Sequence, residues 1–115
     1  MKKTARLAGK KDFETVFTEG RAWANSFVAL RALPNGLGVN RYSVVAGKRL
    51  GKAVVRNRIK RRLREVVRQI SVREGWDMVL IARQASVNAD YSTLEKATRE
   101  LLTRARLLGE GGSTE

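Results

Sequence analysis

The sequence contains no cysteine and no histidine. Thiol nucleophiles, Cys/His metal sites and imidazole acid–base chemistry are therefore excluded, and no disulfide can staple the chain. A thiol-free chain suits a reducing cytosol, so a cytoplasmic location is expected. No apolar run approaches the roughly 20 residues of a membrane span. The opening Met1-Lys2-Lys3-Thr4-Ala5-Arg6-Leu7 also lacks the apolar stretch of a signal peptide, and no membrane partner is expected. Acids are scarce, with 11 Asp and Glu against 24 Lys and Arg. The few aspartates do not cluster: Asp12, Asp77 and Asp90 lie in different segments beside basic neighbours. A two-metal phosphodiesterase centre needs several converging acids, and the sequence offers none.

What is present is positive charge. The formal net charge is +13 in 115 residues. A surplus of that size repels itself in the folded state and calls for a polyanionic partner, nucleic acid first. The charge is focused. Residues 41–68 carry eleven basic residues and one acid, Glu65, a net +10; residues 74–115 carry five basic and seven acidic residues, a net −2. The 43% apolar content is that of a globular chain, and the length suits one domain with one modest core. That domain is expected over 1–108, with Gly109-Glu110-Gly111-Gly112-Ser113-Thr114-Glu115 as a flexible tail.

Periodicity gives six elements. A first helix is expected at 11–19, with Asp12 as its cap, Phe13, Val16 and Phe17 on one face, and Gly20 as its stop. Strands are expected at 26–33 and 41–47. The turn between them holds the only proline, Pro34-Asn35-Gly36-Leu37-Gly38, so the pair reads as a hairpin. After the basic connector Lys48-Arg49-Leu50-Gly51-Lys52 comes a helix at 53–72. A third, continuously apolar strand follows at 76–83, and a last helix at 90–107 opens on Asp90. The class is a small α/β (α+β) two-layer sandwich, helices packed on a mixed sheet.

The 53–72 helix carries the functional reading. At about 100° per residue, Val55, Ile59, Leu63, Val66, Val67 and Ile70 fall within about 120° of arc, a core-facing stripe. Asn57, Arg61, Arg64 and Arg68 lie opposite. Arg56 and Lys60 flank one side, and Arg58 and Arg62 the other. Seven Lys or Arg occupy positions 56–68 beside a single acid. Phosphate relieves the repulsion between such guanidinium groups and binds each of them bidentately. A solvated charged face is the plainer alternative.

At this helix the sequence resembles a known family. Arg56-Asn57-Arg58-Ile59-Lys60-Arg61, preceded by Gly51-Lys52-Ala53-Val54-Val55, is similar to the arginine-rich motif of bacterial ribonuclease P proteins. Arg6-Leu7, then Asp12-Phe13, Val16-Phe17 and Gly20, look like that family's opening pattern, and Asp77-Met78-Val79-Leu80-Ile81-Ala82-Arg83 like its later strand. The match runs in order over residues 6–105.

The resemblance implies a ribosomal-protein-S5-domain-2-like fold with a four-stranded sheet. Its βαβ crossover through the basic helix would be left-handed, against the general right-handed rule. The residues themselves give three strands, and a fourth is expected from a split of 39–50. The resemblance also implies the task, endonucleolytic removal of the 5′ leader of precursor tRNA. The chain would assist a catalytic RNA that holds Mg2+, with one protein per ribonuclease P RNA. Arg56, Asn57, Arg58, Lys60, Arg61, Arg62, Arg64 and Arg68 would meet that RNA, and no residue of this chain would be catalytic.

The single-stranded leader would lie between the sheet and the first helix. It would be held by Phe13, Phe17, Lys48, Arg49 and Lys52 and bordered by Asn57 and Arg61. Phe13 and Phe17 remain open between core packing and stacking on unpaired bases. Two departures from the family stand out. Leu30 takes the place of a first-strand aromatic, with the loss of a stacking position, and Gly47 that of a small hydroxyl residue. Trp23 and Tyr42 are read either as replacements for the missing ring or as core and rim packing. A ribosomal or other structural RNA-binding protein, a DNA-binding helix and a protein-only nuclease are the competing readings.

Overall fold

The computed structural model describes residues 4–7 and 9–109. The elements are β1 (Thr4–Arg6), α1 (Lys10–Glu19), β2 (Arg21–Ala24), β3 (Val28–Pro34), β4 (Asn40–Val45), α2 (Ala53–Gln69), β5 (Trp76–Ala82) and α3 (Tyr91–Arg104). Short 3₁₀ turns, Lys48–Leu50 and Gln84–Asn88, precede α2 and α3. The five strands form one mixed sheet in the order β1-β4-β5-β3-β2. β4 lies parallel to both β1 and β5, and β3 antiparallel to both β5 and β2.

This order corrects two expectations. β3 and β4 are not a hairpin, because β5 is inserted between them. β5 is the most apolar strand, and Met78, Val79 and Leu80 are nearly or fully buried. A strand apolar on both faces gains most from the centre of the sheet, where both its edges are also paired. The 35–39 loop therefore crosses the end of β5. The Asn35 backbone N–H donates to the Gly75 carbonyl at 2.8 Å, and the Asn35 side-chain amide donates to Asp77 at 2.8 Å. The additional strands are β1 and β2, not a split of 39–50.

Strand alternation divides the side chains between two faces. Val28, Leu30 and Ala32 of β3, Val44 of β4 and Met78, Leu80 and Ala82 of β5 meet Ile59, Leu63, Val66 and Val67 of α2 and Leu94, Ala97, Leu101 and Leu102 of α3. This is the main core, and each fully buried Leu or Ile in it is worth about 1.5–3 kcal/mol. The α2 stripe is as expected, with Val55 only half-buried at its start. α1 lies on the other face, where Leu7, Val16 and Val79 form a small cluster flanked by Phe13, Phe17, Leu33, Val45 and Ile81.

Two local expectations change. α1 begins after Gly9, and Asp12 sits inside its first turn rather than capping it. Gly20 does follow the end of α1, and only glycine fits there: a Cβ would lie 2.5 Å from the Val16 carbonyl and 3.0 Å from that of Ala32. Gly109 belongs to the fold. It is buried, and its N–H donates to the Ser71 carbonyl at 2.7 Å. The rest of the expected tail, 110–115, lies outside the described residues. Asp90 caps α3 as expected, accepting from the Thr93 N–H at 2.9 Å, which holds its carboxyl below the usual range.

Candidate nucleic-acid interface

The apolar stripe of α2 fixes which way its cations face. Asn57, Arg61 and Arg68 are exposed on the outer side, and Arg68 pairs with Glu65 at 3.4 Å. Lys60 and Arg64 turn toward β1 and β4. On the other flank Arg62 donates through Nη1 to the Ala89 carbonyl at 2.9 Å, so part of its guanidinium serves the fold. Arg58 is half-buried, and its Nε has no hydrogen-bond partner among the described residues. Arg56 donates through Nε to the Gly51 carbonyl at 3.1 Å.

The amino end of α2 has no side-chain cap and no acid in its first turn. The positive end of the helix dipole therefore adds to Lys48, Arg49 and Lys52, all exposed, and to Arg56. Gly51, at φ +132°, makes the bend between the 3₁₀ turn and α2 that keeps these cations together.

Phe13 and Phe17 stand on the opposite face of the sheet. Their centroids are 4.9 Å apart at an interplanar angle of 36°. Both rings are half-buried, packed inward against the Leu7–Val16–Val79 cluster and open outward. Core packing and an accessible ring surface thus coexist. The Arg31 guanidinium lies 5.1 Å from the Phe17 ring centre and donates to the Phe17 carbonyl at 2.7 Å. Val45 and Ile81 border the same patch. Three residues past Val45 comes Lys48, and two past Ile81 comes exposed Arg83.

Leu30 requires a correction. It is fully buried in the α2/α3 core, so its departure from an aromatic removes nothing from the α1 side. The β3 residue beside Phe17 is Arg31. Reading the alternation of β3 from Val28 inward would have found this. Trp23 and Tyr42 also pack on the α2/α3 core, and neither substitutes for a ring beside α1.

Asp12 and Asp77, distant in sequence, converge on Arg41. Nε and Nη2 of Arg41 donate to Asp77 at 2.8 and 2.6 Å, and Nη1 donates to Asp12 at 3.2 Å. Burial works against the Asp77 carboxylate, but hydrogen bonds from Arg41 and Asn35 outweigh it and lower its pKa. The two carboxylates are thus engaged by a guanidinium, a poor arrangement for a metal. Among the described residues no group of three or more acids converges. No helix among them is long and apolar enough to cross a membrane.

Comparison with known proteins agrees with this architecture. A family model described as Ribonuclease P matches residues 1–106. The chain is similar to the Ribonuclease P protein component of Symbiobacterium thermophilum, at 44% identity over 97% of this chain and 100% of that one. It is also similar to that of Streptococcus mutans serotype c, at 42% identity over 100% and 98%. Among solved structures, the RNase P protein from Thermotoga maritima superposes with a TM-score of 0.77 at 31% identity, covering 86% of this chain and 96% of that one. The Staphylococcus aureus RNase P protein gives a TM-score of 0.81 at 26% identity, covering 90% and 97%. These relatives are ribonuclease P proteins, not ribosomal ones.

Proposed function

The chain belongs to the ribonuclease P protein family, and from that premise we propose how its surfaces divide the RNA between them. As the protein component of ribonuclease P it acts with the ribonuclease P RNA in an endoribonuclease whose catalytic subunit is that RNA. On α2, Asn57, Arg61 and Arg68 of the outer side, together with Arg64 on the flank toward β1 and β4, lie on the catalytic RNA. The single-stranded 5′ leader of precursor tRNA lies on the α1 face, with bases against the open sides of Phe13 and Phe17. From there it passes the carboxyl end of β4, where Lys48, Arg49 and Lys52 take its phosphates, toward Asn57 and Arg61. Stacking suits the task because every base has a π-face, so leaders of any sequence are accepted.

Magnesium in this reading is held by RNA, since Asp12 and Asp77 are committed to Arg41. One protein serves one RNA, in the cytoplasm.

The observation that carries the reading is the Phe13–Phe17 pair. It is half-open on one face of the sheet, and the chain bordering it runs straight into the basic turn before α2. The test is single-turnover cleavage of precursor tRNA by a bacterial ribonuclease P RNA at low magnesium, with and without the chain. A gain that grows with a 5′ leader is expected. A gain indifferent to the leader would remove the α1 face from the reading.

A further inference from the structure

A groove of about 460 Å³ opens on the α2 side of the sheet, away from Phe13 and Phe17. Ala5 and Arg6 of β1, Tyr42, Ser43 and Val44 of β4, and Lys60 and Arg64 of α2 line it. Its construction follows from the register. Arg6 pairs with Tyr42 in the parallel β1–β4 ladder, so the two side chains stand next to each other on one face. Lys60 and Arg64 are one helical turn apart and face the same strands. Among the described residues, three cations and no acid border the groove. Among the described residues none of the three makes an ion pair or side-chain hydrogen bond, unlike Arg41, Arg62 and Arg99. Tyr42 is half-buried, rooted in the main core and presented to the groove.

Cations without counter-ions around a small cavity favour an anion, and an aromatic wall favours a flat apolar ring. A nucleotide has both. The volume lies within the roughly 300–1000 Å³ of ligand sites. A duplex keeps its bases stacked inside and cannot offer one to a side wall, whereas an unpaired nucleotide can be splayed out against it.

We propose that this groove binds one unpaired nucleotide of an RNA strand, its base against Tyr42 and its flanking phosphates on Arg6, Lys60 and Arg64. The proposal rests on the chain being an RNA-binding protein. It adds to that reading a pocket on the β1 edge, with two residues, Arg6 and Tyr42, that lie outside the basic helix. The strand is supplied either by the ribonuclease P RNA or by the precursor, and the chemistry is the same for both.

The test uses the full chain and measures equilibrium binding to ribonuclease P RNA alone, and of the assembled holoenzyme to precursor tRNA. Tyr42→Leu is expected to weaken one of these by roughly five- to a hundred-fold, the factor carried by one base stacked on an aromatic ring. Tyr42→Phe, which keeps the ring, should stay within about twofold of wild type by the same argument. Arg6→Gln, at an exposed position, should lower the salt slope of the same equilibrium by about one. A loss confined to the first equilibrium assigns the nucleotide to the RNA subunit, and a loss confined to the second assigns it to the precursor. Unchanged affinities in both, for Arg6→Gln and for a Tyr42→Leu chain that melts like wild type, overturn the groove. If Tyr42→Leu does not fold, Arg6→Gln with an unchanged salt slope overturns it alone. Failure of the wild-type chain to bind ribonuclease P RNA would instead overturn the RNA reading itself.

Discussion

Arg41 grips Asp77 through two parallel hydrogen bonds, Nε to Oδ1 at 2.8 Å and Nη2 to Oδ2 at 2.6 Å, and extends its third nitrogen to Asp12 on α1. One guanidinium thus ties β4 to the central strand and both to the helix that carries Phe13 and Phe17. Asp77→Asn leaves that cation without its main partner. The expected loss of stability is about 2–3 kcal/mol, less than the roughly 3–5 of a fully buried pair because the Arg41 side chain is 26% exposed. Chemical denaturation measures it, and a loss within error would mean that the pair contributes nothing net.

The same pair sets an acid limit. The Asp77 carboxyl titrates below its ordinary value of 3.8 in the folded chain. A lowered folded pKa gives stability that is fully present above the unfolded value and is lost as pH falls through the folded one. The stability difference between wild type and Asp77→Asn should be flat from about pH 5 to 7 and shrink below about pH 4. A difference independent of pH down to 2 would show that the charge is not the source.

Phe17→Leu retains an apolar side chain for Val16 and Val79 but removes the ring. Affinity of the holoenzyme for leader-bearing precursor should fall by about 1–3 kcal/mol, with mature tRNA little affected. Equal losses for both RNAs would make Phe17 a packing residue only.

Leu30→Tyr restores an aromatic at the position where the family often has one. Leu30 is fully buried on the far side of the sheet from α1. The larger ring should therefore cost about 1–3 kcal/mol in thermal or chemical melts and bring no gain in leader affinity. A tighter leader complex at unchanged stability would contradict the assigned strand faces.

Replacing Arg61 and Arg64 together with Ala should weaken binding to ribonuclease P RNA and reduce the slope of log K against log salt by about one to two. An unchanged slope would take these two α2 cations out of the interface.

Legibility in the sequence followed length and periodicity. α2 was readable to its stripe because 17 residues give nearly five turns over which apolar positions recur. β5 was readable from its unbroken apolar run, and α3 from Asp90 and the leucines after it. β1 and β2, at three and four residues, are too short to show any period. They exist because β4 and β3 offer them an edge. Asp12 has the composition of a cap, and nothing local reveals that its carboxylate is drawn to Arg41, 29 residues away.

By itself, then, the sequence determined the charge, its concentration in one helix, the side of that helix that must be buried, and the motifs that place the chain in its family. These depend on residue type and near-neighbour spacing, which survive in an unfolded chain. Only the tertiary structure decided strand order, the insertion of β5 between β3 and β4, and the turning of Leu30 inward and Arg31 outward. It also decided the meeting of Arg6, Tyr42, Lys60 and Arg64 around one groove. Those outcomes depend on which surfaces compete for burial once the whole chain is present, and such a competition leaves no local mark in the order of residues.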